Sequence, residues 1–74
     1  MKRYRNLSGH SGVAAYEIAP QAVTVRFAGG DVYVYSYASA GADHVEEMKR
    51  RAISGRGLAT FISQHVQHAY ESKR

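Results

Sequence analysis

Two short stretches of alternating side chains, joined by Gly29-Gly30, constrain the fold of this chain more than any other feature. Residues 22–28 place valine and phenylalanine at every second position, and residues 32–37 place tyrosine at every second position, alternating with Val32, Val34 and Ser36. A period of two is typical of half-buried β-strands. Because glycine tolerates positive φ, the Gly29-Gly30 pair predicts a β-hairpin with a two-residue loop.

The predicted loop fixes which residues face each other across the hairpin. With Gly29-Gly30 as the loop, Phe27 opposes Val32 and Val25 opposes Val34, and opposed residues share a face. A turn at Pro20-Gln21 pairs an earlier strand with the hairpin in the same way. One face, expected to be the core, then carries Ala14, Tyr16, Ile18, Val23, Val25, Phe27, Val32 and Val34. The other carries Ala15, Glu17, Thr24, Arg26, Tyr33, Tyr35 and Tyr37.

Two amphipathic helices are predicted after the strands. Asp43, with Glu46 three residues later, forms a capping-box pattern at the start of the first helix. Glycines on both sides of Arg56 separate this helix from the second. The apolar stripes are Val45, Met48 and Ala52 in the first helix, with Ile53 as a further member, and Leu58, Phe61, Ile62, Val66 and Ala69 in the second. We therefore expect an α+β fold, a three-stranded antiparallel meander followed by two helices packed on one face (β-β-β-α-α).

Composition places the chain among small globular domains. It has 74 residues, no cysteine and a net charge of +4 that is concentrated near its two ends. We expect residues 1–12 to be a flexible basic N-terminal arm, residues 13–70 the domain, and residues 71–74 a C-terminal tail. Since no run approaches the roughly 18 apolar residues of a membrane span, we expect no membrane association and a cytoplasmic location.

Several segments resemble the KTSC domain, named for its place at the C-terminus of some lysyl-tRNA synthetases and also found as a stand-alone bacterial and phage-type protein. The similarity covers residues 13–70. It rests on Val13-Ala14-Ala15-Tyr16, Val23-Thr24-Val25-Arg26-Phe27, Gly30, Tyr33, Tyr35, Gly55-Arg56-Gly57-Leu58, Phe61-Ile62, His65-Val66 and Tyr70. In place of a Val-Pro that family members often carry, this chain has Ala38-Ser39-Ala40-Gly41. The resemblance implies RNA binding, which was suggested for the family from its fusion to a synthetase.

The tyrosines of the last strand are the main candidate binding residues. Tyr33, Tyr35 and Tyr37, with Arg26 opposite them, form a predicted surface on which unpaired bases could stack. The alternative is structural, because tyrosine also suits a half-exposed strand without any ligand. Arg56, flanked by glycines before a helix, is a further candidate for anion binding, and glycines there also serve simply to end one helix and begin the next.

Other polar clusters point to ordinary surface roles. Glu46 and Glu47 lie four residues before Arg50 and Arg51, the spacing of helix ion pairs. His65 and His68 are too few for a zinc site, so we expect no metal and no cofactor. Because nothing in the sequence brings a nucleophile, a base and an orienting group together, we expect the chain not to be an enzyme.

These observations predict a small binding domain with one of two kinds of partner. The first hypothesis is nucleic acid, in particular RNA, bound through the tyrosine-rich face with Arg26, Tyr33, Tyr35, Tyr37 and Arg56. The alternative is a protein-interaction module, or a homodimer, because tyrosine and arginine are enriched at protein interfaces as well. The sequence leaves the oligomeric state open.

Overall fold

The computed structural model describes residues 1–7, 9 and 11–74 as an antiparallel sheet with helices on one side. Ser8 and His10 lie outside the described residues. The strands are β1 (Lys2–Arg3), β2 (Val13–Ala19), β3 (Ala22–Phe27), β4 (Val32–Ser36) and β5 (Ser72–Lys73). The helices are α1 (Tyr37–Ala40), α2 (Ala42–Ser54) and α3 (Leu58–Phe61), the last continued by a π-helical segment, Ile62–Val66. The described strands follow in the order β1-β2-β3-β4-β5.

The α+β class and the antiparallel sheet are confirmed, but the sheet has five strands and not three. The three predicted strands form its centre, and a two-residue strand from each end of the chain is added at either edge. Most of the predicted helix stripes are also found. Val45, Met48 and Ala52 of α2 are buried, as are Leu58, Phe61, Ile62 and Val66 in the second helical stretch. They pack against Tyr16, Val23, Val25 and Tyr35 of the sheet. Two predicted members differ, because Ile53 is 55% exposed and Ala69 lies beyond the end of the helical stretch and is partly buried.

The start of α2 differs from the capping pattern that the sequence predicts. Its N-cap is Gly41 without a side-chain cap, and Asp43 lies inside the first turn. A capping box forms instead at the start of the short helix α1, which Ser36 and Ser39 cap reciprocally. The carboxylate of Glu46 instead accepts a hydrogen bond of 2.6 Å from the hydroxyl of Tyr37.

The β3–β4 hairpin has a different loop from the one predicted. Of the two loop glycines, only Gly30 has a positive φ, 102°, so the pair does not form the predicted two-residue turn. The amide of Gly30 donates to the carbonyl of Phe27 at 2.9 Å, and the amide of Phe27 donates to Asp31 at 2.9 Å. The loop is therefore Ala28–Gly30, a three-residue connection whose last residue supplies the positive φ.

This longer loop shifts the register by one residue and turns β4 over. Val23 pairs with Tyr35 and Val25 with Tyr33, so both tyrosines lie on the helix-covered face. Arg26 pairs with Val32, and both lie on the opposite face. Because side chains alternate with a period of two, a shift of one residue exchanges the faces of a whole strand. The predicted facing of β4 is wrong for this reason.

The β2–β3 pairing agrees with the sequence around Pro20-Gln21 and departs from it further along. Tyr16 pairs with Val25 and Ile18 with Val23, as predicted. An irregularity at Ala14 then lets Val13 pair with Phe27, so Val13 joins the core in place of Ala14. Ile18 lies on the core face but close to the end of the strand, where 41% of it stays exposed.

The residues at both ends of the chain are part of the fold. Lys2–Arg3 pair with β2, and Tyr4 is only 3% exposed. The expectation of a flexible arm therefore does not describe residues 1–7, which add an edge strand and a core side chain. At the other end, Val32 and Arg74 exchange two backbone hydrogen bonds, so the predicted tail extends the sheet.

Candidate functional site

Tyr33 is the centre of an aromatic cluster on the helix side of the sheet. Its ring centroid lies 5.5 Å from that of Phe27 and 4.9 Å from that of Tyr70, both edge-on. The ring of Tyr35 is nearly parallel to it at 6.4 Å. The ammonium of Lys73 lies 5.5 Å from the Tyr33 centroid, a cation–π distance. Tyr33 is half-buried and Tyr35 is buried, so only the former retains accessible ring surface.

The burial of Tyr35 has an electrostatic consequence. Desolvation, with smaller contributions from Tyr33 and Tyr70, raises the pKa of the Tyr35 hydroxyl to about 12. Charged tyrosinate is disfavoured where water is excluded. The native protein therefore holds this proton at a pH where the unfolded chain, with an ordinary tyrosine, has lost it.

Raising the pH is expected to destabilise the domain between pH 10 and pH 12 through Tyr35. In this window the unfolded state binds fewer protons than the native state, so the free energy of unfolding falls as the pH rises. Urea unfolding at a series of alkaline pH values measures the effect. Tyr35→Phe should remove this component of the fall, and an unchanged slope in that variant would contradict the assignment.

A cleft opens beside this cluster, between the β3–β4 hairpin and the second helical stretch. Its volume is about 270 Å³. Aromatic side chains form one wall and the π-helical segment forms the other. The rings belong to Phe27, Tyr33 and Tyr35, and Asp31, Ser63 and Gln67 add polar side chains. The cleft therefore combines ring surfaces with a carboxylate, a hydroxyl and an amide.

Arg26 is exposed on the face of the sheet that the helices leave uncovered, which we call the helix-free face. It pairs with Ala15 on β2 and with Val32 on β4. Ala15 pairs in turn with Arg3, and Val32 exchanges hydrogen bonds with Arg74. Directly paired residues share a face. One row across the sheet therefore reads Arg3, Ala15, Arg26, Val32, Arg74, with exposed arginines in β1, in β3 and directly after β5. We call it the arginine row.

The lysine and arginine side chains fall into two groups. We call those that contact another group engaged, and those without a hydrogen bond or ion pair unengaged. Arg5, Lys49, Arg50, Arg51 and Lys73 contact carboxylates, carbonyls or an aromatic ring. Within the described part of the chain, Lys2, Arg3, Arg26, Arg56 and Arg74 have no side-chain hydrogen bond or ion pair. Three of these five belong to the arginine row. The row therefore concentrates charge that is not already neutralised.

The sequence-predicted candidates do not form one surface. Arg26 lies on the helix-free face, whereas Tyr33 and Tyr35 lie on the other. Tyr37 is the first residue of α1 and is held by Glu46. Arg56 is exposed between Gly55 and Gly57, in the turn that joins α2 to α3.

The basic run on α2 is internally paired, as its spacing indicates. Arg51 lies 2.8 Å from Glu47 in the predicted four-residue pairing. Arg50, expected to pair with Glu46, pairs with Glu47 at 2.6 Å, and Glu46 pairs with Lys49 at 2.9 Å. Hydrogen bonds from Arg50 and Arg51 lower the pKa of Glu47. This part of the surface offers little free charge to a ligand.

His65 lies beside two other rings. Its ring centroid is 4.7 Å from that of Phe61 and 5.9 Å from that of His44. His44 bonds through Nδ1 to the carbonyl of Ala40 at 2.9 Å. Residues 1–7, 9 and 11–74 contain no group of three or more side chains that could hold a metal ion. In the same residues, no helix is long and apolar enough to cross a bilayer.

Sequence reasoning missed Arg3 and Arg74 as partners of Arg26. Both lie in two-residue edge strands or next to one, where no alternation is visible. Their only sequence signal is the concentration of positive charge at the ends of the chain.

Comparisons with protein-family models, with curated proteins and with solved structures found no match to this chain. The resemblance to the KTSC domain therefore rests on the residues named above, and the function has to be argued from the geometry.

Proposed function

We propose that this domain binds nucleic acid through phosphate contacts on the helix-free face of its sheet. The observation that carries the proposal is the arginine row, in which Arg3 of β1, Arg26 of β3 and Arg74, directly after β5, lie on one face. RNA is the first ligand to test, because the KTSC resemblance implies it.

The spacing of the row suits a repeating anion. Neighbouring strands lie about 4.8 Å apart, so arginines on alternate strands are spaced by about 10 Å and the row spans about 19 Å. Arginine binds phosphate with two parallel N–H donors. Three such side chains in line can contact separate phosphates along one backbone. A compact anion would reach only one of them.

The rest of the helix-free face supports this interpretation. The row next to the arginine row on this face reads Glu17, Thr24, Val34, Ser72. Thr24 and Ser72 give this second row two hydroxyls, and Glu17 gives it one carboxylate. The N-terminal ammonium lies 3.9 Å from Glu17 and offsets its charge. The face is therefore net positive.

The helix-free face also lacks the means to read bases. The described residues paired in these two rows include no aromatic side chain on which a base could stack. Phosphate contacts position a protein on nucleic acid and carry no sequence information. We therefore propose binding with little sequence preference, in place of the stacking mechanism first expected for the tyrosines.

Fluorescence anisotropy with short RNA and DNA oligomers, over a series of salt concentrations, tests the proposal. Wild type should bind at low salt, with an affinity that falls as salt rises. Replacing Arg3, Arg26 and Arg74 together by alanine should flatten the logarithmic salt dependence by about 0.7 per arginine for single strands, or about 0.9 for duplexes. All three side chains are exposed, so the variant should melt within a few degrees of wild type.

Two variants serve as matched controls for the loss of positive charge. Arg56→Ala removes an unengaged cation outside the row, and Arg50→Ala removes one that is paired with Glu47. Neither should change the salt dependence. If wild type does not bind at low salt, or if the controls weaken binding as much as the row variants, phosphate recognition by the arginine row is wrong.

A protein partner remains the alternative function, and one other surface favours it. Met1, Ile18 and Ile53 are 56%, 41% and 55% exposed and line the same groove beside β1. Sedimentation of wild type and of Ile53→Glu tests whether two copies of the chain associate there. A dimer that this substitution dissociates would favour the homodimer hypothesis, and a monomer would count against it.

A further inference from the structure

We infer that the aromatic cleft beside Tyr33 is a binding site for one planar heterocycle, and that guanine is the base that it fits best. The inference is independent of the arginine row, because the cleft lies on the other side of the sheet. The ligand here is a base carried by a nucleotide. The phosphate contacts proposed above do not require such a base.

The size of the cleft limits the ligand to one ring system. Sites for drug-sized molecules start at about 300 Å³, and this cleft has about 270 Å³. Phe27 and Tyr33 give it partly accessible ring surface, and Tyr35 closes it towards the core. Stacking on an aromatic ring is the usual way in which proteins hold an unpaired base.

The polar groups of the cleft select among planar rings. Asp31 is exposed and contributes a carboxylate, which when ionised only accepts hydrogen bonds. Guanine presents two neighbouring N–H donors, at N1 and N2, that match two carboxylate oxygens. Adenine and cytosine place a ring-nitrogen acceptor beside their amino group, and uracil places its N–H between two carbonyls. Gln67 can donate to the guanine O6.

A cation lies near the same group of residues. A hydrogen bond with Tyr33 and the negative charge of Asp31 raise the pKa of Lys73, whose ammonium lies 5.5 Å from the Tyr33 ring centroid. A phosphate on the sugar of a bound base would find this charge as its neighbour. Nucleotides should therefore bind more tightly than nucleosides.

The helix wall of the cleft has an unusual backbone. Ile62–Val66 form a π-helical segment, and Ile62 and Ser63 line the cleft. Such segments are rare and are frequently found at functional sites. This backbone distortion therefore marks the cleft independently of its aromatic rings.

NMR titration of the isotope-labelled protein with GMP, AMP, CMP and UMP tests the inference. GMP should shift the amide signals of Asp31, Tyr33 and Ser63 at lower concentration than the other three nucleotides. Asp31→Asn should weaken GMP binding by about tenfold or more, since it removes a charged acceptor. Tyr33→Leu should weaken all four nucleotides by about tenfold, since each loses the same stacking surface.

Controls separate this site from the arginine row and from general charge effects. Asp43→Asn removes an exposed carboxylate at the start of α2 and should leave GMP binding unchanged. The triple alanine variant of the arginine row should also keep it. Because Asp31 is exposed, Asp31→Asn should stay folded even if Tyr33→Leu does not.

Two further arms identify the source of the base. Guanosine without phosphate should shift the same signals more weakly, which separates the base from the phosphate. A single-stranded RNA with one guanine in a uracil tract should shift the cleft signals if the base comes from nucleic acid. If GMP shifts these signals and the RNA does not, the ligand is a free nucleotide. Equal responses to all four nucleotides, or shifts confined to the arginine row, would overturn the inference.

Discussion

Tyr35→Ala is expected to lower the free energy of unfolding by about 3–5 kcal/mol, the usual cost of truncating a buried aromatic side chain. Tyr35 is 1% exposed and packs in the core with Val23 and Val25. A domain of 74 residues has only about 4–11 kcal/mol of stability in total. The variant should therefore melt far below wild type or fail to fold.

Chemical denaturation measures this loss of stability, and two other substitutions serve as comparisons. Tyr35→Phe keeps the ring and should cost much less than the alanine variant. Arg26→Ala, on the other face of the neighbouring strand, should change stability by at most about 0.5 kcal/mol. If Tyr35→Ala were as mild as Arg26→Ala, β4 would face the other way, in the register that a two-residue loop gives.

The hairpin shows how far local sequence determined this fold. Alternation placed both strands correctly, and the Pro20-Gln21 turn fixed the β2–β3 register around Tyr16 and Val25. Gly29-Gly30 suits both a two-residue loop and the end of a three-residue loop, because glycine adopts either sign of φ. The side chains of β4 did not show which of the two loops forms, since valine and tyrosine both suit either face of a half-buried strand.

The candidate sites depended on contacts that a local pattern does not contain. Arg26 was recognised as an exposed cation, but its neighbours Arg3 and Arg74 are brought beside it by pairing between the two ends of the chain and the central strands. The cleft likewise joins Asp31 of a hairpin loop to Ser63 of a helix. Such long-range juxtapositions follow from the whole topology and not from residue spacing.

The two faces of the sheet therefore differ in what they can bind. The helix-free face has unengaged arginines and no stacking surface in its described rows, whereas the helix side has rings, a carboxylate and a small cleft. The sequence suggested a single face with both properties. The observed register separates phosphate contacts from base contacts, which is why the two proposals above can fail independently.

Tyr4→Ala is expected to destabilise the domain by about 3–5 kcal/mol, although it lies in a segment whose composition suggests a flexible arm. Tyr4 is 3% exposed and belongs to the core cluster with Val13 and Leu58. Its hydroxyl also accepts a hydrogen bond of 3.3 Å from the amide of Leu58, the first residue of α3. Helix N-termini leave their first amides without partners in the helix, so Tyr4 satisfies a buried donor there.

A graded set of substitutions separates these two contributions. Tyr4→Phe keeps the ring and removes the acceptor, and should cost about 1–3 kcal/mol because the Leu58 amide is left buried and unsatisfied. Lys2→Ala, in the exposed edge strand two residues away, should cost little and controls for the loss of a side chain from β1. Thermal unfolding of the three variants should rank Tyr4→Ala below Tyr4→Phe and both below Lys2→Ala. If all three melted together with wild type, residues 1–7 would not be docked in solution and Arg3 would lose its place in the arginine row.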